Sequence, residues 1–255
     1  MCSDQCARQP QASGTSCRRD LCRPLRWVIA CAALCGHSAA GDDSLDVGFG
    51  VTLTSDYVYR GVSQTLGKPA IQASVSVEHP NGLFGWLWAS NVDYVKDRDP
   101  DDGANREIDL VLGYSFALDE RAEVSLSVLR FAVPGTNEVD YDFTEWTTEL
   151  LLADRHRLRA SYSASAWGTG RPSWYYAAST SWPLGRDLSV AVEAGYFDLE
   201  RALGDAYGYG AVSLALDRDW FAWTLAHYAV TDSASDLFYD SVVGARTVIS
   251  LDLFF

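Results

Sequence analysis

Carboxylates and arginines spaced two or four residues apart carry most of the chemistry this chain could do. Asp56 and Arg60, four apart in TSDYVYR, share one face if the backbone is extended. Asn91 and Asp93 share a face in ASNVDY, and Asp109, Glu145, Glu149, Arg159, Glu193 and Arg246 each fall on the polar face of an alternating segment. Opposed charges facing each other across a narrow aqueous space would set a transverse field and sort solutes by charge and size. The same residues suit a buried hydrogen-bonded network that plugs or braces a small barrel, and the two roles are compatible. With Asp252 added, acids outnumber bases, which favours cations.

Other chemistries fit less well. Asp97, Asp99, Asp101 and Asp102 precede Gly103 in the manner of a calcium loop, but the glycine falls one place late and Pro100 breaks the spacing. A solvated acidic loop, holding divalent cations weakly beside lipopolysaccharide, is the better reading. A lipid hydrolase on a barrel wall would need a His beside a Ser on the lipid-facing side. His227 would face outward, yet two residues on stands Ala229, and His79 and His156 fall in turns at the opposite rim. No phosphate loop or zinc-spaced cluster occurs, so neither enzyme activity, nor a metal, nor a cofactor is expected.

The elements that must position the charged residues are strands. Leu45 to Arg60, LDVGFGVTLTSDYVYR, alternates with Val47, Phe49, Val51, Leu53, Tyr57 and Tyr59 on one face and Asp46, Gly48, Gly50, Thr52, Thr54 and Asp56 on the other. That exceeds the roughly 9 to 11 residues a tilted strand needs to cross a bilayer, and its tyrosines suit an interface girdle. Glu107 to Leu118 repeats the pattern with Ile108, Leu110, Leu112, Tyr114, Phe116 and Leu118 outward. Leu83 to Tyr94 is read with Phe84, Trp86, Trp88, Val92 and Tyr94 outward and Asn91 and Asp93 inward. In Ala122 to Val133, Arg130 lands on the apolar face, which requires either a bulge or a snorkelling side chain.

Twelve such segments follow one another, joined alternately by short turns and longer loops, with ten or fourteen strands compatible with the weaker patterns. No run of about 20 apolar residues exists, so no transmembrane helix is expected. The fold class is therefore all-β: a transmembrane antiparallel up-and-down barrel, with its short turns at one rim and longer loops at the other. At the end of the chain Ile249, Leu251, Leu253 and the terminal Phe255 alternate with Ser250, Asp252 and Phe254. Such a strand would close the barrel against Leu45 to Arg60, and it is similar to the targeting strand read by the bacterial barrel assembly machinery.

The first 40 residues read as a signal peptide, with Arg18, Arg19, Arg23 and Arg26, a short apolar core from Trp27 to Leu34, and Ser38-Ala39-Ala40 at the cleavage site. The segment before Arg18 is long enough to be a mis-assigned start. All six cysteines lie within it and the leader, so the mature domain, 41–255, would contain none. The chain has a net charge of −14, and residues 1–40 hold five Arg and two Asp, so cleavage would deepen it to −17. Nucleic acid is excluded as a partner on that charge.

Thr52 to Gln64, TLTSDYVYRGVSQ, and Ala89 to Tyr94, ASNVDY, resemble the TorF family of porins, a proteobacterial outer-membrane group. The resemblance takes in the spacing of the two motifs, the tyrosine-rich strands and the terminal Phe, and so covers residues 45–255. It implies an outer-membrane barrel with channel function and supplies no catalytic residue. The combined expectation is a porin-like channel in the Gram-negative outer membrane, passing small hydrophilic solutes by diffusion with cation preference. Its other partners would be outer-membrane lipid, lipopolysaccharide and the assembly machinery. A plugged structural barrel, or less readily a lipid hydrolase, is the alternative.

Overall fold

The computed structural model describes residues 44–94, 104–136 and 140–255. The expected leader, its cysteines and the acidic run from Asp97 to Gly103 lie outside the described residues. The strands are β1 (Asp46–Thr54), β2 (Val58–Tyr59), β3 (Val62–Ser63), β4 (Ala70–Glu78), β5 (Leu83–Asn91), β6 (Arg106–Asp119) and β7 (Ala122–Ala132). They continue with β8 (Phe143–Leu152), β9 (His156–Ser163), β10 (Ser173–Pro183), β11 (Leu188–Asp198), β12 (Ala206–Asp217), β13 (Phe221–Val230) and β14 (Arg246–Phe254). Two single-turn helices, α1 (Glu200–Leu203) and α2 (Ala234–Leu237), and a 3₁₀ turn (Ala166–Gly168) sit in loops.

Twelve strands, β1 and β4 to β14, form a closed antiparallel barrel in sequence order. Closure comes from β1 against β14, in register from Gly50 opposite Phe254 to Thr54 opposite Ser250. Below that ladder Phe255 N donates to Phe49 O at 3.0 Å and Phe49 N donates to Phe255 O at 3.2 Å. The short-turn rim holds residues 79–82, 120–121, 153–155, 184–187 and 218–220, and the opposite rim carries the longer connections.

The outer wall is apolar because alternation places Leu53, Ile71, Leu87, Leu110, Leu126, Leu158, Val212, Leu225 and Ile249 on it, all exposed. Aromatic side chains border the band at both ends. Trp146, Trp174, Tyr176 and Tyr196 lie toward the long-loop rim, and Phe49, Tyr114, Phe116, Trp182 and Trp223 toward the other. Cross-strand and same-face ring contacts tie the belt together, as between Tyr162 and Trp174 (centroids 4.7 Å apart) and between Trp174 and Tyr176 (6.1 Å, 3° between planes).

Two local expectations are corrected and a third alternative is decided. First, β1 stops at Thr54, short of Arg60. The chain then turns into the lumen, and Tyr57 is buried there in place of bordering the lipid. Second, β5 presents the opposite faces: Leu83 and Leu87 point out, Trp88 points in and is 6% exposed, and Asn91 points out. Both faces of LFGWLWASN are apolar, so periodicity there has nothing to discriminate. The inturned Tyr57, edge-on to Trp88 at 5.2 Å, supplies the inner apolar partner. Third, no bulge interrupts β7 near Arg130, since the register with β6 shifts only between Ala117 and Asp119. Arg130 stays on the outer face and pairs with Asp142 at 2.7 Å near the long-loop rim.

Replacing mid-wall Leu126 by Arg should destabilise the barrel by about 2–4 kcal/mol, whereas the same change at a rim position such as Leu118 should cost about 0–1 kcal/mol. Denaturant unfolding in lipid bilayers measures both, and equal costs would contradict the assignment of Leu126 to the hydrocarbon zone.

Candidate channel constriction

Inside the barrel, small polar side chains line the short-turn half. Ser74, Ser76, Ser125, Ser127, Ser179 and Ser181 point inward and are partly accessible. The long-loop half is occupied instead by residues 55–69, which fold inward and carry the two-stranded hairpin β2–β3. Asp56 holds this segment in place. Its Oδ1 accepts hydrogen bonds from Ser63 Oγ (2.6 Å) and Thr65 Oγ1 (2.9 Å), and its Oδ2 pairs with Arg246 of β14 at 3.3 Å. Tyr57 N donates to Thr65 Oγ1, and Ser63 N to Val242 O, so the segment itself and the β13–β14 connection satisfy these backbone donors.

The tip is Arg60-Gly61, with φ of 50° and 84°, the pairing of left-handed residues that a two-residue hairpin turn demands. Gly61 is pressed against the wall at β12 and β13, where an added Cβ would lie 2.7 Å from Tyr209 Cβ and 2.8 Å from Val230 Cγ1. Arg60, 5% exposed, reaches across the lumen to β8, where Nη2 donates to both Glu145 oxygens at 2.6 and 2.8 Å. Its guanidinium carbon lies 3.7 Å from the Tyr175 ring centroid and 4.4 Å from that of Phe197. Tyr207 Oη donates to Arg60 O at 3.1 Å and fixes the tip's backbone. Burial opposes the Arg60 charge, but the Glu145 carboxylate together with Tyr59 and Tyr175 outweighs it and holds the guanidinium above its ordinary range.

Around this crossing lie two further clusters. Glu107, fully buried, accepts from Tyr57 Oη at 2.8 Å and from Tyr94 Oη. Burial, then the nearby Glu107 carboxylate, push both phenols well above their ordinary range. On the other side Tyr209 Oη donates to Glu193 at 2.5 Å and lies 2.6 Å from Tyr175 Oη. The Tyr209 ring covers Gly195 of the neighbouring strand so closely that a Cβ there would be 2.2 Å from it. Above them Trp167, from the 3₁₀ turn, packs on Phe197 at 5.4 Å and Phe238 at 6.1 Å. Toward the short-turn rim Glu149 holds Arg157 and Arg159, each at 2.6 Å, and faces Asp252, which accepts from Thr52 Oγ1 at 2.5 Å on the opposite wall.

The residues singled out by spacing thus meet new partners. Asp56 and Arg60 share the lumen but do not pair with each other; they pair with Arg246 and Glu145. Glu149 and Arg159 are joined, Glu193 enters the tyrosine network, and Asp109 is buried next to the Glu107 cluster. Asp93 lies beyond the end of β5, paired with Lys68 at 3.0 Å. Asn91 is corrected: it is exposed on the outer side, where its amide bonds Ile71 N (2.8 Å) and Pro69 O (3.3 Å) and staples the end of the wall. Strand alternation from Asp109, Arg159 and Glu193 also reaches Glu107, Arg157 and Phe197, and that of β12 places Tyr207 inward, whereas Tyr57 is brought into the site only by the inward fold of residues 55–69. His227, on the lipid side, bonds Thr247 at 2.9 Å, and His156 bonds Thr180 at 2.9 Å at the other rim. Both are cross-strand pairs in antiparallel register, His227 opposite Thr247 and His156 opposite Thr180.

The geometry can be set against known proteins. The model of a family described as "Bacterial protein of unknown function (Gcw_chp)" matches residues 38–253. No curated protein matches the sequence. Among solved structures, a NanC porin superposes with a TM-score of 0.54 at 9% identity, covering 82% of this chain and 99% of that one. A KdgM porin superposes at 0.51 and 7% identity, covering 82% and 98%. At these identities the likeness is one of fold.

Substituting Gly61→Ala puts a Cβ into Tyr209 and Val230 and forces an L-residue into the left-handed region, at roughly 1–2 kcal/mol for the backbone alone. Denaturant unfolding should register at least that loss, and an unchanged midpoint would mean that the tip does not contact the wall.

Proposed function

The chain belongs to the Gcw_chp family, whose description assigns no activity, and we propose from its barrel that it is a porin-like outer-membrane channel passing small hydrophilic solutes by passive diffusion, with cation preference. The observation that carries this reading is the lumen itself: a closed twelve-strand wall, apolar outside, with a serine-lined interior that narrows at an ion-paired hairpin. Asp56, Glu107, Asp109, Glu145, Glu149, Glu193 and Asp252 outnumber Arg60, Arg157, Arg159 and Arg246 among the inward charges, which supports attraction of cations. Asp93 adds an acid at the long-loop mouth. No step in this reading calls for a catalytic group.

The accompanying expectations form part of the same proposal. Residues 1–40 direct export and residues 41–255 form the single barrel domain. Ile249, Leu251, Leu253 and Phe255 present the strand recognised by the assembly machinery. The long loops face outward among lipopolysaccharide, and the motifs at Thr52–Gln64 and Ala89–Tyr94 support a kinship with TorF-like porins. A barrel closed at rest is the second reading, favoured by the burial of residues 57–65 within the lumen.

Single-channel recording of the refolded protein in planar bilayers, with reversal potentials under a salt gradient, tests both readings. The expected result is small discrete steps with cation preference, reduced by Asp252→Asn and Glu193→Gln. Electrical silence from folded protein, persisting after the hairpin is loosened by Gly61→Ala, would reject the channel and leave the plugged barrel.

A further inference from the structure

The wall residues that hold Arg60 form a recognition site in their own right. Glu145, Tyr175 and Phe197 come from β8, β10 and β11, on the far side of the barrel from β1, whose continuation delivers Arg60. A planar cation pressed on aromatic faces and gripped by a carboxylate through one nitrogen is how proteins bind organic cations. Only the tether distinguishes Arg60 from a free guanidinium in that place. Its hold is also incomplete. Nη1 is buried without a hydrogen-bond partner among the described residues, and the residue sits at φ 50°, a conformation unfavourable for any side chain but glycine. Beside the pocket Asp109 is 8% exposed with Oδ1 likewise unpartnered, so the site has a surplus of acceptors for a cation with several donors.

We propose that Glu145, Tyr175 and Phe197 form a lumenal binding site for organic cations of the guanidinium class, occupied in this structure by Arg60 as an internal stand-in that an arriving cation displaces. The proposal rests on the channel reading only for the route by which the cation arrives. Displacement releases the Arg60 side chain from β8, β10 and β11 while Asp56, the Tyr207 bond to Arg60 O and the Gly61 contacts keep the tip's backbone in place, and so couples recognition to widening of the gap between the tip and β8. The selected solute is thereby defined by chemistry: small, basic, planar at its charged end, and bearing more than one N–H donor.

The test is a titration of the folded protein in detergent with ethylguanidinium and, as its neutral counterpart, ethylurea, reading the thermal unfolding transition by heat-dependent gel mobility. Arg60→Ala should lower the transition. Millimolar ethylguanidinium should raise it again by several degrees and ethylurea should not, because only a ligand of the native state stabilises it. The response should vanish in Arg60→Ala/Glu145→Gln and in Arg60→Ala/Tyr175→Leu, and the wild-type chain should need at least roughly tenfold more ligand, since Arg60 competes. Equal responses to the two compounds, or a response surviving Glu145→Gln, would overturn the proposal. If Arg60→Ala does not refold, Arg60→Gln vacates the same cage with a shorter neutral side chain and is read in the same way. Binding is measured without transport, so a guanidinium shift beside silent bilayers would remove the channel reading alone, and conductance without a shift would remove this site alone.

Discussion

Everything in this structure depends on the closing ladder between β1 and β14. A strand edge facing hydrocarbon would leave a row of amide and carbonyl groups unpaired, at several kcal/mol each, so an apolar-faced sheet is viable only when its first and last strands meet. Here they meet over a short register, Gly50 to Thr54 against Phe254 to Ser250, extended by the mutual bonds of Phe49 and Phe255. Once the ring is closed, alternation assigns each strand residue to lipid or lumen, and the aromatic belts and serine-lined interior follow.

Closure at twelve strands creates the second problem, an interior wider than side chains alone can fill. Residues 55–69 answer it by leaving the wall where β1 ends and crossing the long-loop half of the lumen. The inserted segment satisfies some of its buried polar groups internally, with Asp56 serving Ser63 and Thr65, and others through the wall at Arg246, Glu145, Glu107 and Tyr207. Its longest reach, Arg60 to Glu145, is not explained by stability. A buried ion pair recovers in Coulomb attraction little more than it loses in desolvation, and apolar side chains of the same volume would serve as well. A charged, hydrogen-bonded tip suits a contact that another cation can replace.

The part of the site that could be read from spacing is the part carried by regular strands. Glu145, Glu149, Arg159 and Glu193 lie inward because each follows an unbroken two-residue period next to an apolar face. Asp56, Arg60 and Asn91 sit where that period ends. The alternation in Leu45 to Arg60 continues past Thr54 only in composition, because Tyr57 and Tyr59 are as compatible with a buried lumenal cluster as with a lipid interface. Asn91 suffers from the other ambiguity: with Phe84, Trp86 and Trp88 opposite Leu83 and Leu87, two-residue periodicity cannot orient β5.

The sequence by itself determined the all-β membrane barrel of about twelve strands, its alternate short and long connections and its closing C-terminal strand, and closure of the barrel decided the count at twelve. Those features are local: each depends on the alternation of neighbouring residues and on the length needed to cross a bilayer. Only the tertiary structure decided that the chain turns inward at Ser55, that β5 faces its tryptophans to the lumen, and that Arg60 finds Glu145 across the barrel. These depend on contacts beyond the reach of local alternation, among them Arg60–Glu145, 85 positions apart, and Asp56–Arg246, 190 apart. The free energy of burying Tyr57 against Trp88, or a guanidinium against Tyr175, exists only after the barrel has closed around them, so no local pattern records it.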